Sequence, residues 1–225
     1  MKIGLKVLFF GLFAIVLFSS AFLSAGSTHK PEKIYKNQFK KKFGIPYCEK
    51  LVLAAKEPLY IDITQEERYQ DNKNDWRTYF RKYGKNIDHC KIAPLYIAFV
   101  SDQVGYGCFA DKLIKKGEII GVSTGHLMKR DNVKKYTDYM VLYPSIVTTE
   151  DGIVEFVINS NFGGNYTRFI NSSSKHPNVE CRFIPRNGFW QAVYVAIQDI
   201  PKDTQLLMNY GSEFWTTRNM TEIEL

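Results

Sequence analysis

The stretch Gly164-Asn165-Tyr166-Thr167-Arg168-Phe169-Ile170-Asn171-Ser172-Ser173-Ser174-Lys175-His176-Pro177-Asn178 decides how the rest of this sequence is read. A hydrophobic run ends there in an asparagine, small hydroxyl residues follow, and a Pro-Asn pair closes it. An amide side chain beside turn backbone offers donors and acceptors to an amino-acid-like or purine ligand. An ordinary Asn/Ser turn has the same pattern, so the flanking sequence has to arbitrate. Upstream lies Val104-Gly105-Tyr106-Gly107-Cys108-Phe109-Ala110. Two glycines around an aromatic let backbone come close to a ligand, or simply make a tight turn. Downstream, residues 196–211 read as a strand, a Pro-Lys-Asp turn and a second strand ending in Tyr210-Gly211.

Between these stretches the grammar is that of strands. Short β-rich runs occupy 95–100, 119–123, 139–143, 153–158, 179–183, 189–196 and 205–208, separated by turn signals such as Asp151-Gly152 and Arg186-Asn187-Gly188. Runs this short and frequent predict a mainly β domain of small sheets. Ahead of it, Thr64 and Glu67 form a capping-box pattern. They open a helix in which Tyr69, Trp76, Phe80 and Tyr83 recur at helical spacing, with Gly84 as its stop. Residues 27–60 read as a basic arm with irregular structure.

Taken together, in this order and spacing, the three stretches resemble the SET-domain family of protein lysine methyltransferases. The likeness runs over roughly residues 95–215. The family pattern Gly-x-Gly-x-Phe-Ala, a lysine-rich turn and Gly-Glu-x-Ile appears as residues 105–110 and Lys115-Lys116-Gly117-Glu118-Ile119-Ile120. Arg-Phe-Ile-Asn-x-Ser followed by Pro-Asn appears at 168–173 and 177–178, and the closing strand pair at 195–211. The resemblance implies a SET-domain fold with a knot-like crossing, S-adenosylmethionine as methyl donor and a protein lysine as acceptor. Carried over by position, Gly105, Tyr106 and Gly107 line the methionine part of the donor, and Asn171 with Ser172 holds its adenine and carboxylate ends. Tyr210 matches the catalytic tyrosine, Tyr139 falls near the ring of the lysine channel, and Phe214 and Trp215 stand ready to stack on adenine.

The chain departs from the family in several places. Ser172 replaces the histidine after the asparagine, and one extra residue precedes Pro177. The acidic pair before the last strand is Thr204-Gln205, and the glycine ahead of it is Asp203. Val122-Ser123-Thr124 stands where a tyrosine is common. No cysteine triplet follows Tyr210, so residues 212–225 stand in for the family's zinc-bound cap. These departures open the alternative of a weak or inactive SET-like module that binds lysine-bearing peptides.

Composition sets outer limits. With 45% hydrophobic, 15% aromatic and 24% charged residues in 225, a disordered tail, a collagen-like fibre and a polytopic membrane protein are excluded. Lys2, Lys6, an apolar run over residues 7–23 and Ser24-Ala25-Gly26 form a signal peptide or, read as retained, a membrane anchor. The expected layout is therefore 1–26 signal or anchor, 27–92 basic arm and helical flank, 93–215 SET domain and 216–225 tail. That makes the chain exported or, alternatively, anchored with its SET domain on the cytoplasmic side. The net charge of +7 is concentrated between Lys30 and Lys50 and argues weakly for direct nucleic-acid contact. Membrane contact is expected only through residues 1–26, and the protein is expected to be a monomer. His29, His89, His126 and His176 lack metal-ligand spacing, so no metal is expected. A third reading, an exported β-rich interaction domain, calls for a disulfide such as Cys48–Cys90. Asn165, Asn171 and Asn219 fit the glycosylation pattern.

Overall fold

The computed structural model describes residues 31–133 and 139–225, so the apolar segment expected at 1–26 lies outside the described residues. Pro31–Leu225 forms one compact unit. Among the described residues no helix is long and apolar enough to cross a membrane.

Chain order runs α1 (Lys36–Phe43), β1 (Val52–Leu53), α2 (Glu67–Asp71), α3 (Lys73–Asp88), β2 (Leu95–Ser101), β3 (Gly105–Ala110), β4 (Ile119–Val122) and β5 (His126–Lys129). It continues through β6 (Met140–Thr149), β7 (Gly152–Asn159), β8 (Asn171–Ser172), β9 (Val179–Arg186), β10 (Phe189–Ala196), β11 (Leu207–Met208) and α4 (Ser212–Thr216). The strands build a four-stranded sheet β1-β5-β7-β6, a three-stranded sheet β4-β10-β9, the hairpin β2-β3 and the parallel pair β11-β8. This is the expected arrangement of small sheets.

Each predicted run is a strand; 189–196 keeps its limits and the others change theirs. β6 runs on to Thr149 through Pro144, and its register with β7 breaks between Leu142 and Ile146. Pro144 is tolerated because β6 is an edge strand, where a missing N–H costs no ladder bond. The run at 205–208 shortens to Leu207–Met208. The Gly105-x-Gly107 stretch is itself a strand, β3, paired with β2 (Tyr96 opposite Phe109) and entered through Gly105 at φ 77°. β1 and β5 were not expected. They are short, and β5 is held by β7 and by a two-residue parallel contact with β1.

The helical flank is corrected in three respects. The Thr64–Glu67 capping box does not form: Asp62 is the cap, accepting from the Thr64 N–H (3.0 Å) and the Thr64 hydroxyl (2.6 Å). Asp62 leads into a 3-10 turn and then α2. A break at Asn72 separates α2 from α3, and Gly84 is not the stop, because α3 continues through it to Asp88. The supposed irregular arm contains α1, whose Phe39 is fully buried while Lys40 and Lys41 stay exposed. Its apolar stripe is only Phe39 and Phe43, an i,i+4 pair masked by the lysine run. Gly44 (φ 72°) ends it in the left-handed region.

Three apolar clusters fill the interior. One joins α1 to β2, β3 and the segment Phe169–Ile170; a second joins Trp76 to Leu127, Phe156, Ile158 and Trp190; the third joins Tyr83 and Ile87 to β4, β9 and β10. Trp190 is fully buried yet satisfied: its indole N–H donates to Glu66 (2.7 Å) and its backbone N–H to the Tyr143 hydroxyl (2.9 Å). All four cysteines are free thiols, which overturns a Cys48–Cys90 disulfide. Asn165 is 1% exposed, which leaves no room for a glycan.

Replacing Trp190 with Ala should cost roughly 3–5 kcal/mol, read as a lower urea midpoint, because it leaves a large cavity and takes the indole partner from Glu66, while the backbone bond to Tyr143 stays. Asp88, at the end of α3, receives a two-pronged bond from the Arg186 guanidinium of β9 (2.9 and 2.6 Å), which holds its carboxyl down at about 2. The depressed pKa means this tie is fully present above the unfolded value of about 3.9 and is lost only as pH falls through 2. An NMR titration should find the Asp88 midpoint near 2, returning to about 4 in Arg186→Met.

Candidate active site

The site starts from one buried amide. Asn165 accepts from the N–H (3.0 Å) and hydroxyl (2.7 Å) of Thr167 and donates to the Val122 carbonyl (2.8 Å). This pins the 3-10 turn Tyr166–Phe169, which carries Arg168, against β4. The chain then passes through buried Ile170 into β8, where Asn171 and Ser172 pair in parallel with Leu207 and Met208. A second buried amide holds that pairing. Asn178 donates to the Gln205 carbonyl (2.8 Å) and accepts from the Leu207 N–H (2.9 Å). Two residues past β11 stands Tyr210, its hydroxyl donating to the Ile170 carbonyl (2.5 Å) and its N–H to the Ser172 hydroxyl (3.3 Å). Gly211 turns the chain at φ 83° into α4. There Phe214 and Trp215 close on the Tyr210 ring at 4.5 and 6.1 Å between centroids.

Two cavities meet at this point. The smaller, about 140 Å³, is walled by Tyr106, Phe169, Asn171, Ser172 and Trp215, with Gln103 and Val104 of the β2–β3 turn. The larger, about 470 Å³, opens along Met140–Leu142 and runs in past Phe183, Tyr194 and Met208. Tyr139, Arg168, Tyr210 and Phe214 line both, so these four side chains are a shared wall.

The structure therefore gathers Tyr106, Tyr139, Asn171, Ser172, Tyr210, Phe214 and Trp215 around one small cavity. Gly105 and Gly107 flank Tyr106 in β3 and are not among the wall residues. A Cβ on Gly107 would lie 2.6 Å from the Gln205 amide and 2.8 Å from Val100, so glycine there permits hairpin packing. Asn171 donates to the Tyr106 carbonyl (3.2 Å), which locks the two motifs together. Sequence reasoning missed Arg168, Phe169 and Tyr194, and also the tail residues Met220, Ile223 and Leu225, which close the small cavity. Arg168 and Phe169 sat inside the deciding stretch but read as a hydrophobic run; the tail carried only a glycosylation pattern at Asn219, which says nothing of a cavity.

Ser172, where the resemblance leads one to expect histidine, donates to Glu222 of the tail (2.5 Å), which lowers that carboxyl's pKa. Ser173 reaches Glu224 (3.3 Å), and Lys175 pairs with the same carboxylate (3.1 Å). Burial raises the Tyr194 phenol well above its ordinary value and lowers the Arg168 guanidinium. Among the described residues no group of His, Cys, Asp and Glu is placed to hold a metal.

Residues 105–211 match the family model of the SET domain, so over that span the chain is similar to this family. It is 28% identical over 153 residues to the variant-silencing SET domain-containing protein of Plasmodium falciparum, covering 66% of this chain and 6% of that protein. It is 28% identical over 122 residues to the histone-lysine N-methyltransferase EZH2 of Chaetomium thermophilum, covering 50% of this chain and 8% of that protein. The chain thus spans less than a tenth of the length of these curated relatives. Its fold is similar to that of ATXR5, solved with histone H3.1 mono-methylated on R26, at a TM-score of 0.55 and 20% identity, covering 78% of this chain and 85% of that one.

Asn178→Ala removes the side-chain partners of the Gln205 carbonyl and the Leu207 N–H at a buried point and should destabilise the fold by roughly 2–3 kcal/mol. Hydrogen exchange should show lost protection concentrated at Leu207, rather than spread through the sheets.

Proposed function

We propose that this chain is an S-adenosylmethionine-dependent protein-lysine N-methyltransferase. The observation that carries the reading is the wall of Tyr139, Arg168, Tyr210 and Phe214 shared by two adjoining cavities. A reaction that joins two substrates in line needs this geometry, each reactant entering by its own opening and meeting the other across one narrow contact.

The residues of the small cavity suit the donor chemically. Rings of Tyr106, Phe169, Phe214 and Trp215 offer flat apolar faces, Asn171 offers an amide, and Arg168 offers a cation. In size the cavity is below the 300 Å³ or more usual for a ligand of that bulk. The tail residues Met220, Ile223 and Leu225 occupy the balance, so admitting the donor moves the tail. Gly105 and Gly107 then act through Tyr106, and the pairing of β8 with β11 is where we put the knot-like crossing. When bound, the donor supplies a methyl group on a sulfonium, whose carbon–sulfur electrons leave with the sulfur as the new nitrogen–carbon bond forms.

The chain's own task is to present a neutral amine. A free lysine, with a pKa of about 10.4, is nearly all protonated at neutral pH. The rings of Tyr139, Tyr194 and Tyr210 desolvate the ammonium and favour its loss of a proton to solvent. Tyr210, fixed through its hydroxyl to the Ile170 carbonyl, orients the amine while its oxygen faces the transferring carbon. The acceptor is a lysine-bearing peptide lying along Met140–Leu142 at the mouth of the larger cavity. Residues 1–26 carry the proposal of export, or of an anchor holding the domain on the cytoplasmic side. The mass of the mature N-terminus distinguishes cleavage from retention.

Tyr210→Phe should lower methyl transfer to a lysine-bearing protein by on the order of 10²–10⁴ while donor affinity changes only a few-fold. Wild-type protein that binds donor but transfers no methyl group to any protein in a mixed lysate would defeat this reading. It would favour instead a peptide-binding module, which Ser172 and the extra residue before Pro177 motivate.

A further inference from the structure

The face of α3 turned away from the core is a row of cations. Lys73, Arg77, Arg81 and Lys85 recur at every fourth position and are all exposed, while Trp76, Tyr83, Gly84 and Ile87 take the buried side. Four residues advance a helix by about 6 Å, so the row runs for about 18 Å. Lys82, also exposed, extends it: its ammonium reaches the turn at Gly117, beside exposed Lys116. None of these five helix cations makes an ion pair or a side-chain hydrogen bond among the described residues. The carboxylates of α3 do not neutralise the row. Asp88 is held by Arg186 and Asn187, and Asp75 lies about 200° round the helix from Lys73. The basic arm, where the sequence concentrates its positive charge, behaves differently. Lys33 pairs with Asp111 and Asp203, Lys36 with Glu49 and Lys42 with Glu32. The arm spends much of its charge inside the molecule; α3 leaves its charge to a partner.

Evenly spaced cations on a rigid helix suit a polyanion whose charges also repeat evenly. Double-stranded DNA carries one phosphate charge per roughly 1.7 Å of its axis, so a length of about 18 Å offers about ten. A membrane surface would call for large apolar side chains beside the cations. Here the outward positions between them are Asn74 and Thr78, and α3 exposes no large hydrophobic residue. We infer that α3 docks on the phosphate backbone of double-stranded DNA, with Arg77, Arg81 and Lys85 at the centre of the contact. Phosphate contacts carry no sequence information, so the docking is independent of base sequence. It holds whether or not the chain transfers methyl groups.

The test titrates a fluorescent DNA duplex of arbitrary sequence with the full chain, by anisotropy, at several salt concentrations. Wild-type affinity should fall with salt along a log–log slope of about −4, the value for four or five neutralised phosphates. The combined variant Arg77→Gln, Arg81→Gln, Lys85→Gln should bind at least about 10-fold more weakly at low salt and flatten the slope by about three. A matched control, Lys40→Gln, Lys41→Gln, Lys50→Gln, removes the same charge from exposed lysines of the arm and should bind within about threefold of wild type. Equal losses in the two variants would mean that net charge alone is felt, and would overturn the inference. So would wild type that fails to bind the duplex at low salt. The replaced α3 side chains are exposed, so the urea midpoint should not move. If the combined variant unfolds, Arg81→Gln alone decides: a slope flattened by about one supports the contact and an unchanged slope overturns it. Vesicles of phosphatidylserine and phosphatidylcholine supply the rival surface. Loss of vesicle binding in the α3 variant with duplex binding retained would assign the row to a membrane instead.

Discussion

The site depends on the Asn178 side chain. With one amide it bonds a carbonyl and an N–H of the segment Gln205–Leu207, and so holds a two-residue strand beside Asn171–Ser172. A parallel pair that short has little cohesion of its own, because each residue adds only one or two ladder bonds. Together with main-chain bonds from the Asn178 N–H to the Leu207 carbonyl (2.9 Å) and from the Ser173 N–H to the Met208 carbonyl (3.0 Å), the clamp brings Tyr210 back to the Ile170 carbonyl, some forty residues earlier in the chain. Asn165 does the same for the turn ahead of Asn171. Both amides are buried and fully used, which is where a polar side chain specifies geometry instead of merely being accommodated.

Packing completes what these bonds begin. Phe43 of α1 lies edge-on to Tyr106 at 5.2 Å and against Phe169 at 4.6 Å, so the basic arm supports two walls of the small cavity from behind. Lys42 lies over the Tyr106 ring at 5.7 Å, its charge kept outside the apolar layer. The opposite side of that cavity is closed by the tail, through hydroxyl–carboxylate bonds from Ser172 and Ser173. One flank is thus apolar and permanent, the other polar and exchangeable with water.

Much of this was legible in the sequence, and what was not has physical reasons. Strands β2, β4, β7 and β10 declared themselves because their apolar residues are largely contiguous, and β9 because its apolar residues alternate with charged ones; turn residues flank them. The ordered motifs around Tyr106, Asn171 and Tyr210 pointed to residues that do converge. α1 stayed hidden because a two-turn helix with two apolar residues has almost no periodicity to detect. Gly84 misled because glycine ends a helix only where the backbone turns left-handed; here it lies against the Arg186 guanidinium, 3.5 Å from where a Cβ would sit. Thr64 misled because Asp62, two residues earlier, offers the stronger cap. The shared wall could not be read at all, since Tyr139, Arg168, Tyr210 and Phe214 meet only through tertiary packing.

The electrostatics of that wall follow from its composition. Aromatic rings disfavour a bare charge by desolvation but attract a cation lying over their faces. Arg168 takes up two such faces, on Tyr139 and Phe169, and Arg218 lies over the Phe214 ring at 3.8 Å. A lysine arriving in the larger cavity approaches a fixed positive charge as it leaves water, and both effects favour its neutral form. On the reading proposed above, lining one boundary with an arginine and three rings would favour an uncharged amine in the larger cavity.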